Sequence, residues 1–493
     1  MVFLILSCLY NSVEMDKKDL FKELKAEVLG RQKILAKVCR QRQNSSVFDY
    51  ANDWPLSGGI DKAAAEIIRN CLQGIYGTAV AGQAAEQLQT IPLVSTIDHH
   101  GILNHSFFVN SNLIFSLRKS LSFLICFSTA GVSLNNSSWP GCLVFTDSAT
   151  GQLKRFSFFP DRQKTCTVLA APALTEAGVN AVLARIGRDK ILKPEQKEKL
   201  LGLVKETVMR QEVLSLPSFS GQASLISTGL WQKIFPQASG VVYLPVEDVV
   251  SRLITEKISR DKNHALYKLF FSPPGWQLVE KYFQGSLGAF SAFHKGSFLF
   301  WAVNDKGRRV HLHRQGQKLR DHDFAVELNP EAVSAALAKK DIYPTSLVCF
   351  LVLLYYRITC LGGFNQVNWL TDIKNKFVSL LGEMGEANLA KSIAGAVTDN
   401  FAEGNLAFLL RDNKLIKATG IDLFLSGDKQ LFEKYRQLSR LMTVGESIES
   451  LLPEIYRVII PERERKKGLL SLTGEEIVKN SGLEEKIRRV LAG

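Results

Sequence analysis

None of the short motifs that mark common enzyme classes occurs in this chain. There is no G-x-x-x-x-G-K-S/T phosphate loop, no G-x-G-x-x-G following a strand, no H-E-x-x-H and no G-x-S-x-G. Those absences disfavour the common nucleoside triphosphatases, dinucleotide enzymes, zincins and serine hydrolases. No nucleic-acid-binding motif of the usual kinds appears either. Paired cysteines are also missing. The eight cysteines form no C-x-x-C, and several sit in apolar runs such as Leu124-Ile125-Cys126-Phe127. Free buried thiols in a reducing cytoplasm fit that pattern better than disulfides or a cysteine-based zinc site. Long apolar runs are lacking as well. Leu347 to Tyr356 falls short of the roughly 20 residues that a membrane span requires, so a buried helix and no membrane association are expected.

What the chain does contain is an ordinary globular composition, 46% hydrophobic and 22% charged over 493 residues, which excludes a disordered chain. That length favours two or three domains, or one core with a large helical extension. The formal net charge of +13 favours an anionic partner, whether a small molecule, nucleic acid or an acidic surface. The basic residues are spread out and form no block, so a solvated lysine-rich surface is the other reading. Met1 to Tyr10 is apolar but short, with no basic residue ahead of it, which argues against a signal peptide. Residues 1–14 are therefore expected to precede the true start, with Met15-Asp16-Lys17-Lys18 opening an amphipathic helix that carries Leu20, Phe21, Leu24, Val28 and Leu29 on one face.

Hydrophobic spacing predicts a fold of the α/β or α+β class, a mixed sheet core with a large helical C-terminal section. Residues 15–90 read as helical, with one helix through Ile60–Tyr76 and another through Ala79–Leu88. Residues 91–215 read as an α/β core, with strands near Ile91–Ile97, Ser122–Phe127, Cys142–Thr146 and Lys154–Phe159 and a helix through Phe107–Leu117. Residues 216–345 read as a second α+β section. Residues 346–493 read as helical, with Pro344 in the first turn of a helix and a capping box at Thr473 and Glu476.

The densest chemistry lies at Asp98-His99-His100-Gly101-Ile102-Leu103-Asn104-His105, where three of the eight histidines fall within seven residues. The stretch follows an apolar run, so it belongs at a strand tip. Alternation along a strand would turn Asp98 and His100 one way and His99 the other, and Gly101 would let His105 fold back. A carboxylate with imidazoles suits zinc, manganese or iron, with Asp98, His100 and His105 as the expected ligands. Without a metal, Asp98, His99 and His100 form a candidate proton-transfer group, with Asp98 fixing a tautomer and His100 as base. Histidines at strand ends also serve simply to bond local backbone.

The string Ile97-Asp98-His99-His100 resembles the namesake motif of the DHH phosphoesterases. That resemblance implies hydrolysis of phosphodiester or phosphoanhydride bonds with paired metal ions. It covers these residues alone. The D-x-D motif that the family places on an earlier strand does not occur before Ile91, and Asp49 and Asp53 lack its spacing.

Polar segments nearby supply candidate substrate contacts. Asn110 follows His105, and the loop after Ser128-Thr129-Ala130-Gly131 carries Asn135, Asn136 and Ser137. Such loops at strand ends hold oxyanions in many α/β proteins, and equally serve as plain turns. A second cluster is Arg308-Arg309-Val310-His311-Leu312-His313, where Arg308, Arg309 and His311 suit an anion and His311 with His313 suits a metal; an exposed, charged edge strand is the alternative. Gly362-Gly363 reads as a helix C-cap or a point of close backbone approach. Together these residues point to an enzyme catalysing metal-assisted hydrolysis or group transfer on a small anionic molecule. The alternative is a non-catalytic protein that binds nucleic acid or an acidic partner.

Overall fold

The computed structural model describes residues 16–147, 151–286 and 296–492. The expectations for residues 1–14 and for a start at Met15 lie outside them. The architecture is mixed α/β, as the hydrophobic spacing predicts.

At its centre is a four-stranded parallel sheet. In chain order the strands are Leu93–Ser95, Phe123–Ser128, Gly240–Pro245 and Thr359–Leu361, and in space they run fourth, first, second, third. Leu93 pairs with Thr359, Ser95 with Cys126 and Phe123 with Gly240. Both faces of the sheet are covered, which is why its strands are apolar throughout rather than alternating with polar residues. Alternation survives as a choice of face. Leu124, Cys126, Val241 and Tyr243 enter one core, whereas Ile125, Phe127, Val242 and Leu244 enter the other. Helices Ser106–Ser116 and Phe219–Ile234 cover the first face, backed by C-terminal helices such as Leu431–Leu441 and Leu452–Ile459. Helices Lys62–Thr90, Val246–Glu256, Ser346–Tyr355 and Gln366–Glu383 cover the second.

Local chemistry sets most boundaries. Asp61 caps the helix Lys62–Thr90 by accepting from the Ala63 and Ala64 amides. Gly77, at φ 79°, interrupts that helix where the sequence separates two helical runs. The capping box at Thr473 and Glu476 is present. Pro344, expected inside a helix, instead ends the strand Ile342–Pro344, and Thr345 caps the helix Ser346–Tyr355. No helix among the described residues is long and apolar enough to cross a membrane.

The C-terminal third contains more than helix. Thr359–Leu361 completes the central sheet, and Phe408–Arg411 pairs with Lys414–Lys417 as a hairpin. The sheet thus draws strands from stretches that the sequence reads as three successive sections. Gly362-Gly363 follows a strand rather than capping a helix. A Cβ on Gly363 would sit 2.7 Å from Oε1 of Glu403, so close approach is what this position requires. Beside the sheet stand the hairpin Cys142–Thr146/Leu153–Ser157 and a three-stranded sheet of Ile342–Pro344, Phe300–Val303 and Arg309–His311.

The parallel strands all end at one edge of the central sheet. After the third strand the chain enters Val246–Glu256 on the second face. After the second it passes through the loop at Thr129–Trp139 and returns by way of Phe219–Ile234 on the first face. Divergence of neighbouring loops at the carboxyl ends of parallel strands opens the crevice where α/β proteins bind ligands.

Candidate functional site

The Asp98–His105 stretch lies at that edge, as its position after the first strand implies. His99 forms an isolated parallel bridge with Thr129, which extends the pairing of the first and second strands. The side chains nevertheless go separate ways.

His100 is fully buried. Its Nε2 lies 2.7 Å from the Ser220 carbonyl and its Nδ1 lies 2.6 Å from Ser128 Oγ. A carbonyl can only accept, so Nε2 carries the proton and Nδ1 accepts from the serine hydroxyl. Burial drives the imidazole pKa down to about 4, with the Ser220 carbonyl opposing it. This histidine fastens the strand tip to the helix Phe219–Ile234 and has no open nitrogen. Asp98 is buried on the first face, where its Oδ2 accepts from Asn112 Nδ2 at 2.8 Å. Burial lifts its pKa to about 7, against the opposing pull of Asn112, Tyr243 and Ser111. Its Oδ1 is buried without a partner.

His105 caps the helix Ser106–Ser116, its Nδ1 accepting from the Phe107 amide at 3.3 Å. Its ring packs on Phe107 and Phe108, and burial takes its pKa to about 4, helped by His99 and Lys417. His99 is half-buried, edge-on to Phe108, with Nδ1 3.3 Å from Ser138 Oγ. Burial lowers its pKa while a hydrogen bond with Asn136 resists.

The expected ligand set of Asp98, His100 and His105 is therefore not assembled, because each group spends its polar atoms on separate local partners. Among the described residues no group of three or more His, Cys, Asp or Glu side chains is placed to hold a metal ion. The expected Asp98–His100 proton relay is likewise absent from the geometry, since Asp98 bonds Asn112 and His100 bonds serines. Asn110 is also structural. Its Oδ1 accepts from the amides of Leu406 and Ala407 at 2.5 and 2.6 Å, which ties the helix to the C-terminal third.

Other candidates do converge. Asn136, Arg308 and Arg309 line one hollow of about 290 Å³, together with Gly131, Val132, Ser133, Thr165 and Thr167. No acidic residue among the described residues lines it. Neither arginine makes an ion pair among the described residues; Arg309 instead lies over the Trp301 ring, 4.3 Å from its centroid. His311 packs edge-on to the same tryptophan and lies outside the lining, as do the exposed Asn135 and Ser137. Asn135 accepts from Ser133 Oγ at 2.7 Å, and Ser137 Oγ donates to Asn136 at 3.3 Å. His313 belongs to a different strand, His313–Gln315, so the pairing of His311 with His313 does not form one face.

The hollow is braced from beneath by a residue the sequence did not single out. Glu247 opens the helix Val246–Glu256, and its buried carboxylate accepts from the Ala130 amide at 3.0 Å and the Gly131 amide at 2.8 Å. Burial raises its pKa to about 7, and those amides oppose the rise. A Cβ on Gly131 would lie 2.7 Å from the Tyr343 ring and 3.1 Å from Glu247 Oε1, so only glycine fits here. The glycine in Ser128–Gly131 was a visible signal. Thr165, Thr167 and Glu247 had none, because nothing local to them says that distant loops meet.

Compared with known proteins, the chain matches no family model, and no curated protein matches it significantly.

Proposed function

We propose that this chain binds a small anionic molecule in the hollow formed by Gly131, Ser133, Asn136, Thr165, Thr167, Arg308 and Arg309. One observation carries the reading: two guanidinium groups without a carboxylate partner among the described residues face a hollow lined otherwise by hydroxyls, an amide and apolar atoms. An oxyanion satisfies such a donor-rich lining, and arginine binds carboxylate or phosphate through paired hydrogen bonds. The volume of about 290 Å³ suits a compact ligand at the lower end of small-molecule sites.

Binding is better supported than hydrolysis or group transfer. A reaction requires an acid or base within reach of the ligand. The candidate here is His99, which lies outside the lining but hydrogen-bonds Asn136, a residue of it. In a catalytic reading His99 is the base, and Arg308 and Arg309 stabilise charge. The seven free cysteines of the described residues, six of them buried, support a reducing compartment such as the cytoplasm.

Calorimetric titration with phosphate, pyrophosphate and citrate tests the proposal. Arg308→Ala and Arg309→Ala should each weaken the best of these by about tenfold or more with the fold kept. Unaltered affinity in both variants removes the hollow from consideration. Tight oligonucleotide binding that falls steeply with salt would instead favour the nucleic-acid reading.

A further inference from the structure

A second and larger cavity, of about 790 Å³, opens at the same edge of the sheet. Its floor is the helix Val246–Glu256, and its walls come from the helices Lys62–Thr90 and Pro330–Ala338. Small residues along those walls, among them Gly74, Ala335 and Ala338, create the space.

The floor presents Asp248, Arg252 and Glu256 at four-residue intervals, with Arg260 continuing the sequence beyond the helix end. Asp248 and Glu256 are thus separated by about 12 Å along the axis. Alternating charge at this spacing usually marks a solvated face whose ions pair with each other. These do so poorly. Arg252 stands 3.9 Å from Glu256, and Lys340 stands 3.4 Å from Asp248. Many surface pairs close more tightly, as in Lys17–Glu476 at 2.6 Å and Lys268–Glu386 at 2.7 Å, although a few, such as Arg463–Glu464 at 3.8 Å, are as loose. Arg260 forms no ion pair among the described residues, and the Ser251 and Ser334 hydroxyls have no hydrogen-bond partner there. Positive and negative groups therefore both keep unused capacity within one concave space. Among the described residues no aromatic ring lines the cavity, so they offer no platform for stacking a nucleobase or for caging a quaternary ammonium.

We infer that this cavity is a binding site for a small zwitterion of the amino-acid or dipeptide class, with Asp248 taking the ammonium and Arg252 and Arg260 the carboxylate. Ser251 and Ser334 supply neutral hydrogen bonds between the two ends. The inference is independent of the arginine-lined hollow, with which this cavity shares no lining residue.

The test is a thermal-shift screen of the full chain against the proteinogenic amino acids and simple dipeptides, with AMP, citrate and spermidine as comparators, followed by calorimetry. At least one zwitterion should bind with a Kd below about 1 mM. Asp248→Asn and Arg260→Ala should each weaken it by about tenfold, because each removes one end of the recognition. Ala335→Trp, which fills the cavity from an exposed helix position, should abolish binding and keep the fold. Arg308→Ala should leave it unaltered. Failure of every zwitterion to bind overturns the inference. So does a site occupied by AMP, citrate or spermidine alone, or zwitterion binding that survives Ala335→Trp.

Discussion

The strand tip around His100 and the hollow around Arg308 lie at the same edge of one sheet and are opposites in chemistry. At the strand tip the polar atoms of His100 and Asp98 are buried and, apart from Asp98 Oδ1, matched to internal partners. In the hollow, Ser133, Asn136 and Thr167 have local partners, but the guanidinium groups of Arg308 and Arg309 make no ion pair among the described residues. The first region therefore stores stability, whereas the second holds the uncompensated charge on which the proposed anion site rests. Residue type alone does not separate them, since histidine and aspartate are as common in internal networks as in active sites. What distinguishes them is whether the hydrogen-bonding capacity of each group is already spent.

The sharpest way to break that contrast is His100→Ala. It leaves Ser128 and the Ser220 carbonyl without their buried partner and opens a void. It should cost about 2–4 kcal/mol in denaturant titration while leaving anion affinity intact. If affinity were lost and stability kept, the roles of the two regions would be reversed.

Gly131→Ala probes their junction. The added methyl meets the Tyr343 ring and the Glu247 carboxylate. A loss of about 1–3 kcal/mol, together with weaker anion binding, is expected because the same loop serves both the core and the hollow.

Asp98→Asn sharpens the comparison through pH. The folded carboxyl titrates near 7 and the unfolded one near 3.8, so the native state binds the extra proton between those values. The contribution of this group to stability is full below pH 3.8 and is lost as pH rises through 7. His100 and His105, lowered to about 4, act in the other sense between pH 4 and 6.5. The difference between variant and parent isolates the carboxyl. Relative to the parent, Asp98→Asn should gain about 1–3 kcal/mol between pH 5 and pH 8. Parallel stability curves would show that Asp98 does not carry this proton. The smallest effect is expected from Asn135→Ala, an exposed residue outside the hollow. It should change stability and anion affinity by less than about 0.5 kcal/mol.

Several of these elements could be read directly from the chain. The strand Cys142–Thr146, the helix Ser106–Ser116 and the capping box at Thr473 all follow from local pattern. The strand Thr359–Leu361 was harder. It is short and lies between a buried helix and a glycine pair, and only its pairing with Leu93–Ser95 makes it a strand. For the site, the arginine pair and Asn136 stood out as candidates, but the histidine cluster stood out more strongly. Density of reactive side chains says nothing about which already have partners.

Local pattern settled the class of fold, the core-facing positions and most helix starts, because those depend on periodicity and on capping within a few residues. Tertiary structure alone decided that His100 is an internal tie, that Glu247 props the Gly131 loop, and that residues near 131, 165 and 308 share one hollow. Burial and convergence are properties of chain segments far apart in sequence, and their energies arise only when those segments meet.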